Sequence, residues 1–90
     1  MTFDETLAAV KDEIAQTLNI ETAAIGDTQL LISDLGAESI DLIDLTFRLE
    51  KRFGINIPEG ELFESAEHPA ATLTVIAVAD YAFNKLTDAK

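Results

Sequence analysis

The chain has no cysteine and a single histidine among its 90 residues. Without thiols no disulfide staples the fold, and no side chain can itself carry a substrate as a thioester. Basic residues are also scarce: six Lys and Arg stand against 17 Asp and Glu, for a formal net charge of −11. A surface of that sign repels phosphate backbones and anionic headgroups, which makes nucleic acid and membrane surfaces poor partners. Basic patches on other proteins are good ones, with fast and salt-sensitive association. Long apolar runs are missing too. The longest, Val75 to Ala79, is far too short for a transmembrane segment. The first residues are acidic where a secretory signal is basic, so a cytoplasmic protein is expected. No stretch sustains the apolar-polar alternation of a half-buried strand.

What is present is helical periodicity. Phe3, Leu7, Val10, Ile14 and Leu18 recur at three- and four-residue spacing, one apolar stripe of an amphipathic helix. Thr2 followed by Glu5 reads as a capping box, and Asn19 as a stop. Residues 20–38 form a long connection with a turn at Gly26-Asp27 and apolar anchors at Leu30, Leu31 and Ile32. A connection that long in a small domain packs or functions. A second helix is predicted from Ser39 to Phe53, ended by Gly54, with Ile55 to Pro58 extended. A short third helix is predicted around Glu59 to Ser65, followed by a loop at His68 to Ala71. The last helix is predicted from the cap Thr74 to about Leu86, burying Val75, Ala79, Ala82 and Leu86; Asp88, Ala89 and Lys90 should fray. The fold class is all-α: one domain over residues 1–90, a small bundle of three longer helices and one short one, expected to be a monomer. At 48% hydrophobic, the chain can form one small core.

The second helix is unusual. At the helical period Leu42, Leu45, Thr46, Leu49 and Phe53 share one face, the core stripe. Ile40, Ile43 and Phe47 form another stripe, well over a quarter-turn away. Either the 20–38 connection or the short third helix covers that stripe, or it is a docking patch ringed by Glu38, Asp44 and Glu50. Acids occupy the N-terminal half of this helix and Arg48, Lys51 and Arg52 the C-terminal half, an order that complements the helix dipole by about 0.3–1 kcal/mol per charge.

Ser39 precedes this apolar-periodic run. A serine there is ordinarily a helix cap. It is also suited to covalent modification, because a helix N-terminus favours an attached anion and Gly36 and Ala37 leave little bulk on the approach. His68, before a proline in an expected solvated loop, is a poor candidate to deprotonate it. No nucleophile-elbow, EF-hand or His/Cys ligand pattern accompanies it, so neither a hydrolase nor a metal site is read here.

Asp34-Leu35-Gly36-Ala37-Glu38-Ser39-Ile40 resembles the Asp-Leu-Gly-Ala-Asp-Ser-Leu signature of the acyl carrier protein family. Leu49 to Pro58 is similar to that family's end of helix two, and Thr74-Val75 with Asp80-Tyr81 to its last helix. The resemblance implies an acyl-carrier-like bundle and a 4′-phosphopantetheine arm, taken from coenzyme A and attached to Ser39 by a phosphopantetheinyl transferase. It implies a carrier rather than an enzyme, holding acyl groups for fatty-acid, lipid or polyketide biosynthesis. Glu38, Asp41, Asp44 and Glu50 would face basic patches on acyl-processing enzymes, with Ile40, Ile43 and Phe47 at the centre. Glu38, Ile40, Lys51 and the long region between Pro58 and Thr74 depart from housekeeping carriers and point to a specialised discrete carrier. An aminoacyl or peptidyl carrier, and an unmodified interaction domain of the same fold, are the alternatives.

Overall fold

The computed structural model describes residues 1–88, and its helices begin and end where local side chains dictate. Helix α1 spans Phe3–Leu18. The Glu5 N–H donates to Thr2 Oγ1 at 3.1 Å and the Thr2 N–H to Glu5 Oε1 at 2.8 Å, which satisfies two donors the helix leaves open. That hydrogen bonding holds the Glu5 carboxyl below its usual range. Asn19 closes the helix in the left-handed region at φ 58, a conformation its short polar side chain tolerates. Of the expected stripe, Val10 and Ile14 are buried, and Phe3, Leu7 and Leu18 pack partly buried against the core.

Residues 19–38 carry a 3-10 turn at Thr22–Ala24 and no longer helix. Backbone pairing pins this connection to the segment before the last helix. The Leu31 N–H donates to Leu73 O, Val75 N–H to Gln29 O, and Ile76 N–H to Asp27 O, at 3.2, 3.0 and 2.8 Å. Ile25, Leu31 and Ala37 are the buried anchors; Leu30 is half-buried, and Ile32, expected inside, is 37% exposed. At the end of the connection Gly36 takes φ 75 with open space where a side chain would start, so its backbone rather than crowding calls for glycine.

Helix α2 spans Ser39–Phe53 and ends on Gly54 at φ 66. Helix α3 spans Val75–Asp88, and Thr74 Oγ1 accepts the Ala77 N–H at 3.2 Å as its cap. Val75, Val78, Ala79, Tyr81 and Ala82 are buried, with Leu86 partly so. Asp88, expected to fray, is still helical, and the expected fraying of Ala89 and Lys90 lies outside the described residues. Helix α1 packs along both α2 and α3, which touch each other only sparingly. Phe3 and Phe83 meet edge to face at 5.6 Å across α1 and α3.

Ion pairs join α1 to α2. Arg52 reaches the buried Glu13 at 2.7 Å, and Arg48 lies 3.7 Å from it while holding Asp44 at 2.8 Å. The basic half of α2 therefore does more than complement its own dipole.

The region between α2 and α3 departs from expectation. No helix forms at Glu59 to Ser65. Pro58 O accepts the Glu61 N–H at 3.0 Å in one turn, but Gly60 at φ 81 and Phe63 at φ 79 leave the helical region. The short helical piece is instead a 3-10 turn at Ala70–Thr72. With three longer helices and short 3-10 turns, the all-α class holds. His68 is not a solvated loop residue either: it is half-buried, its ring edge-on to Tyr81 at 5.3 Å.

Tyr81 is the only tyrosine. Its hydroxyl is buried with no hydrogen-bond partner among the described residues. Burial pushes its phenol up, and the neighbouring Glu61 carboxylate adds to this. Glu61 itself is held below the usual carboxylate range by Lys85, 3.0 Å away. A phenol that holds its proton more tightly when folded contributes stability below its unfolded pKa of about 10, and that contribution disappears as pH rises through the folded value. Tyrosinate absorbance should therefore appear at higher pH in the native protein than in urea. Coincident titrations would show that Tyr81 is solvated.

Candidate functional site

The start of α2 is built by Glu38 and Asp41. Glu38 is the N-cap in extended conformation, and Asp41 Oδ2 accepts its N–H at 2.8 Å. Ser39 is thus the first helical residue and not the cap that a serine before an apolar run ordinarily is. Its side chain is exposed, and the carboxylate bond that closes the helix end leaves its hydroxyl uncommitted. The chain's other serines contrast with it. Ser65 Oγ donates to Glu61 O and accepts from the His68 N–H, at 2.9 and 3.0 Å. Ser33 is exposed but sits in the turn before the helix, away from any helix N-terminus. Only Ser39 combines an exposed hydroxyl with the first-turn N–H groups that favour a bound anion.

Along α2 from Ser39 runs the second apolar stripe, and none of the described residues covers it. Ile40, Ile43 and Phe47 are 71%, 59% and 64% exposed. The acids around it divide into different kinds. Glu38 and Asp44 are exposed, Asp44 sharing its charge with Arg48. Asp41 is half-buried at the cap. Glu50 is half-buried, and its Oε2 accepts the Ile57 N–H at 2.8 Å, so it fastens the chain after α2 rather than standing free on a rim.

A cavity of about 310 Å³ opens beside Ser39, lined by Ser39, Leu42, Ile43, Thr46, Leu62, Phe63, Glu64 and Ala70. Leu62, Phe63 and Ala70 come from the region between α2 and α3, where the helix expected at Glu59 to Ser65 does not form. Two adjacent apolar residues there were the available signal. A second cavity of about 350 Å³ continues along α2 past Phe47 and Glu50 toward Ile57, Pro58 and Gly60. Among the described residues no three His, Cys, Asp or Glu side chains converge on a possible metal site, and no helix is long and apolar enough to cross a membrane.

An exposed hydroxyl at a helix start, over an apolar cavity and beside an uncovered apolar stripe, fits a group attached through a phosphate and long enough to reach other proteins. The chain belongs to the phosphopantetheine attachment site family, whose profile matches residues 8–76. Its relatives narrow the class to the acyl carrier proteins. It is 37% identical over 57 residues to an acyl carrier protein of Campylobacter hominis, covering 63% of this chain and 72% of that protein. An acyl carrier protein of Thermotoga maritima is 34% identical over 59 residues, 66% of this chain and 73% of its own. One from Brachyspira hyodysenteriae is 45% identical over 51 residues, 56% and 65%. The chain is a carrier of the acyl carrier protein family, and its prosthetic group is 4′-phosphopantetheine.

Proposed function

We propose that Ser39 is the attachment point and that the chain holds acyl intermediates for biosynthetic enzymes, as a cytoplasmic single-domain carrier that is their substrate and catalyses nothing itself. The observation that carries this is the pairing of an uncommitted, exposed Ser39 hydroxyl with the first turn of α2. The group, once bound, supplies the thiol that this chain lacks, and acyl groups ride on it as thioesters. The protein's own part is positional. The first-turn N–H groups and the dipole of α2 stabilise the phosphodiester anion. Gly36, exposed and with open space beside it, leaves the approach to Ser39 clear for a transferase, while Ala37 packs into the core.

Docking falls to Ile40, Ile43 and Phe47, with Glu38 and Asp44 meeting basic side chains and Asp41 and Glu50 chiefly holding the backbone. An exposed apolar centre within a charged surround is common interface anatomy. Lys51 extends the stripe one turn beyond Phe47 and places a cation where housekeeping carriers usually have an acid. Together with the long 58–74 region, which holds no α-helix, it favours a specialised discrete carrier with its own clients in fatty-acid, lipid or polyketide synthesis.

Incubation with coenzyme A, magnesium and a broad-specificity phosphopantetheinyl transferase should raise the intact mass by one phosphopantetheine unit. An unchanged mass, with an established carrier modified in parallel, would leave an unmodified interaction domain of the same fold.

A further inference from the structure

We propose that Lys51 is a charge filter on the exposed face of α2, fitted to partner enzymes that place a carboxylate opposite the last turn of the helix; the inference rests on the exposed stripe being the docking surface. Lys11, Arg48, Arg52 and Lys85 each hold a carboxylate. Lys51 alone among the described Lys and Arg side chains holds none, in a chain with 17 acidic residues. The fold keeps it free. Positions three and four residues away are Phe47, Arg48, Gly54 and Ile55, none of them acidic. The acids that share a surface cleft with Lys51 are Glu13 and Asp44, and both are engaged. Arg52 reaches Glu13 at 2.7 Å and Arg48 reaches Asp44 at 2.8 Å. Glu50, its sequence neighbour, accepts the Ile57 N–H.

Placement gives the free charge its role. At the helical period Lys51 falls about 20° from Ile40 and about 40° from Phe47, in line with the stripe. At about 1.5 Å per residue it stands roughly 18 Å along the axis from Ser39 and roughly 6 Å beyond Phe47. Arg52, one residue on, turns to α1 and Glu13. The helix dipole favours a cation in the last turn, and Arg52 already supplies one; nothing in the dipole calls for a second on the exposed face. From the Ser39 end that face therefore runs acidic at Glu38, apolar through Ile40, Ile43 and Phe47, and cationic at Lys51. A complementary surface runs basic, apolar and then acidic over the same length. A surface that is basic throughout meets repulsion at Lys51.

The test follows malonyl transfer to the phosphopantetheine-loaded protein by a fatty-acid synthase malonyl transferase whose docking surface is basic throughout. At low salt Lys51→Glu should raise kcat/KM by about tenfold, through KM, and Lys51→Gln by about threefold. Both gains should fade at about 0.5 M salt, where exposed charges are screened within a few ångströms. Asn84→Asp adds one negative charge on the exposed surface of α3 and should change nothing. Glutamate placed in turn at each basic docking position of the transferase should yield one variant that prefers wild type to Lys51→Glu. Melting temperature separates a filter from a structural charge. Lys51→Gln should melt with the wild type, whereas Arg52→Gln, which removes the nearer arginine from the buried Glu13, should melt earlier. Equal rates for all Lys51 variants, a gain shared by Asn84→Asp, no transferase variant with reversed preference, or a melting loss at Lys51 as large as at Arg52 would overturn the filter. Unchanged turnover in Phe47→Ala would instead sink the docking surface, and the filter with it.

Discussion

Ser39→Ala is expected to fold like the wild type and to accept no phosphopantetheine at all. The two halves of that result have separate causes. Stability should change by no more than about 0.5 kcal/mol, as for other exposed positions outside caps and cores. The cap of α2 is the Glu38 backbone held by Asp41, and the serine hydroxyl takes no part in it. Loading should vanish because Ser65 is engaged in two hydrogen bonds and Ser33 lies outside the helix start. Thermal denaturation and intact mass on one preparation read both halves. A variant that still gains mass, or that melts far below the wild type, contradicts the geometry at the start of α2.

The second large effect separates two residues of one helix. Leu49 is fully buried and Phe47 is 64% exposed, although only two positions divide them. Leu49→Ala should cost about 2–5 kcal/mol, the lost transfer energy plus the cavity left behind. That is a large fraction of the roughly 5–15 kcal/mol that holds a domain together. Each kcal/mol moves the melting temperature by roughly 4–8 °C at this size. Phe47→Ala, although it deletes more atoms, should leave the melting temperature nearly unchanged while slowing turnover by enzymes that dock on α2. If Phe47→Ala melts as early as Leu49→Ala, the second stripe belongs to the core and the docking surface lies elsewhere.

The features legible in the sequence are those decided by neighbours a few residues apart. Thr2 with Glu5, Asn19, Gly54 and Thr74 mark helix ends through hydrogen bonds that span one turn. The two stripes of α2 follow from the helical period alone, although which of them would be covered did not. What stayed hidden depends on distant partners. Arg52 finds Glu13, 39 positions away, and Glu50 finds the Ile57 backbone, so side chains that read as surface charge hold the fold together. His68 looked solvated because Tyr81, its ring partner, comes from α3. Ile32 looked like an anchor because it adjoins Leu31, yet the turn there buries only one of the pair deeply. The false helix at Glu59 to Ser65 is instructive. Gly60 weakened it by about 1 kcal/mol relative to alanine, a visible signal. The left-handed turn at Phe63 was invisible, since it is imposed by the strand-like contact with Pro69.

The position of the prosthetic group is the most direct test of all this. The protein would be modified with coenzyme A and transferase, digested, and fragmented by tandem mass spectrometry. The phosphopantetheine should sit on Ser39 and on no other residue. Its appearance on Ser33, Ser65 or a threonine, or its absence from every peptide of a protein shown to be folded, would contradict the carrier site described at the start of α2.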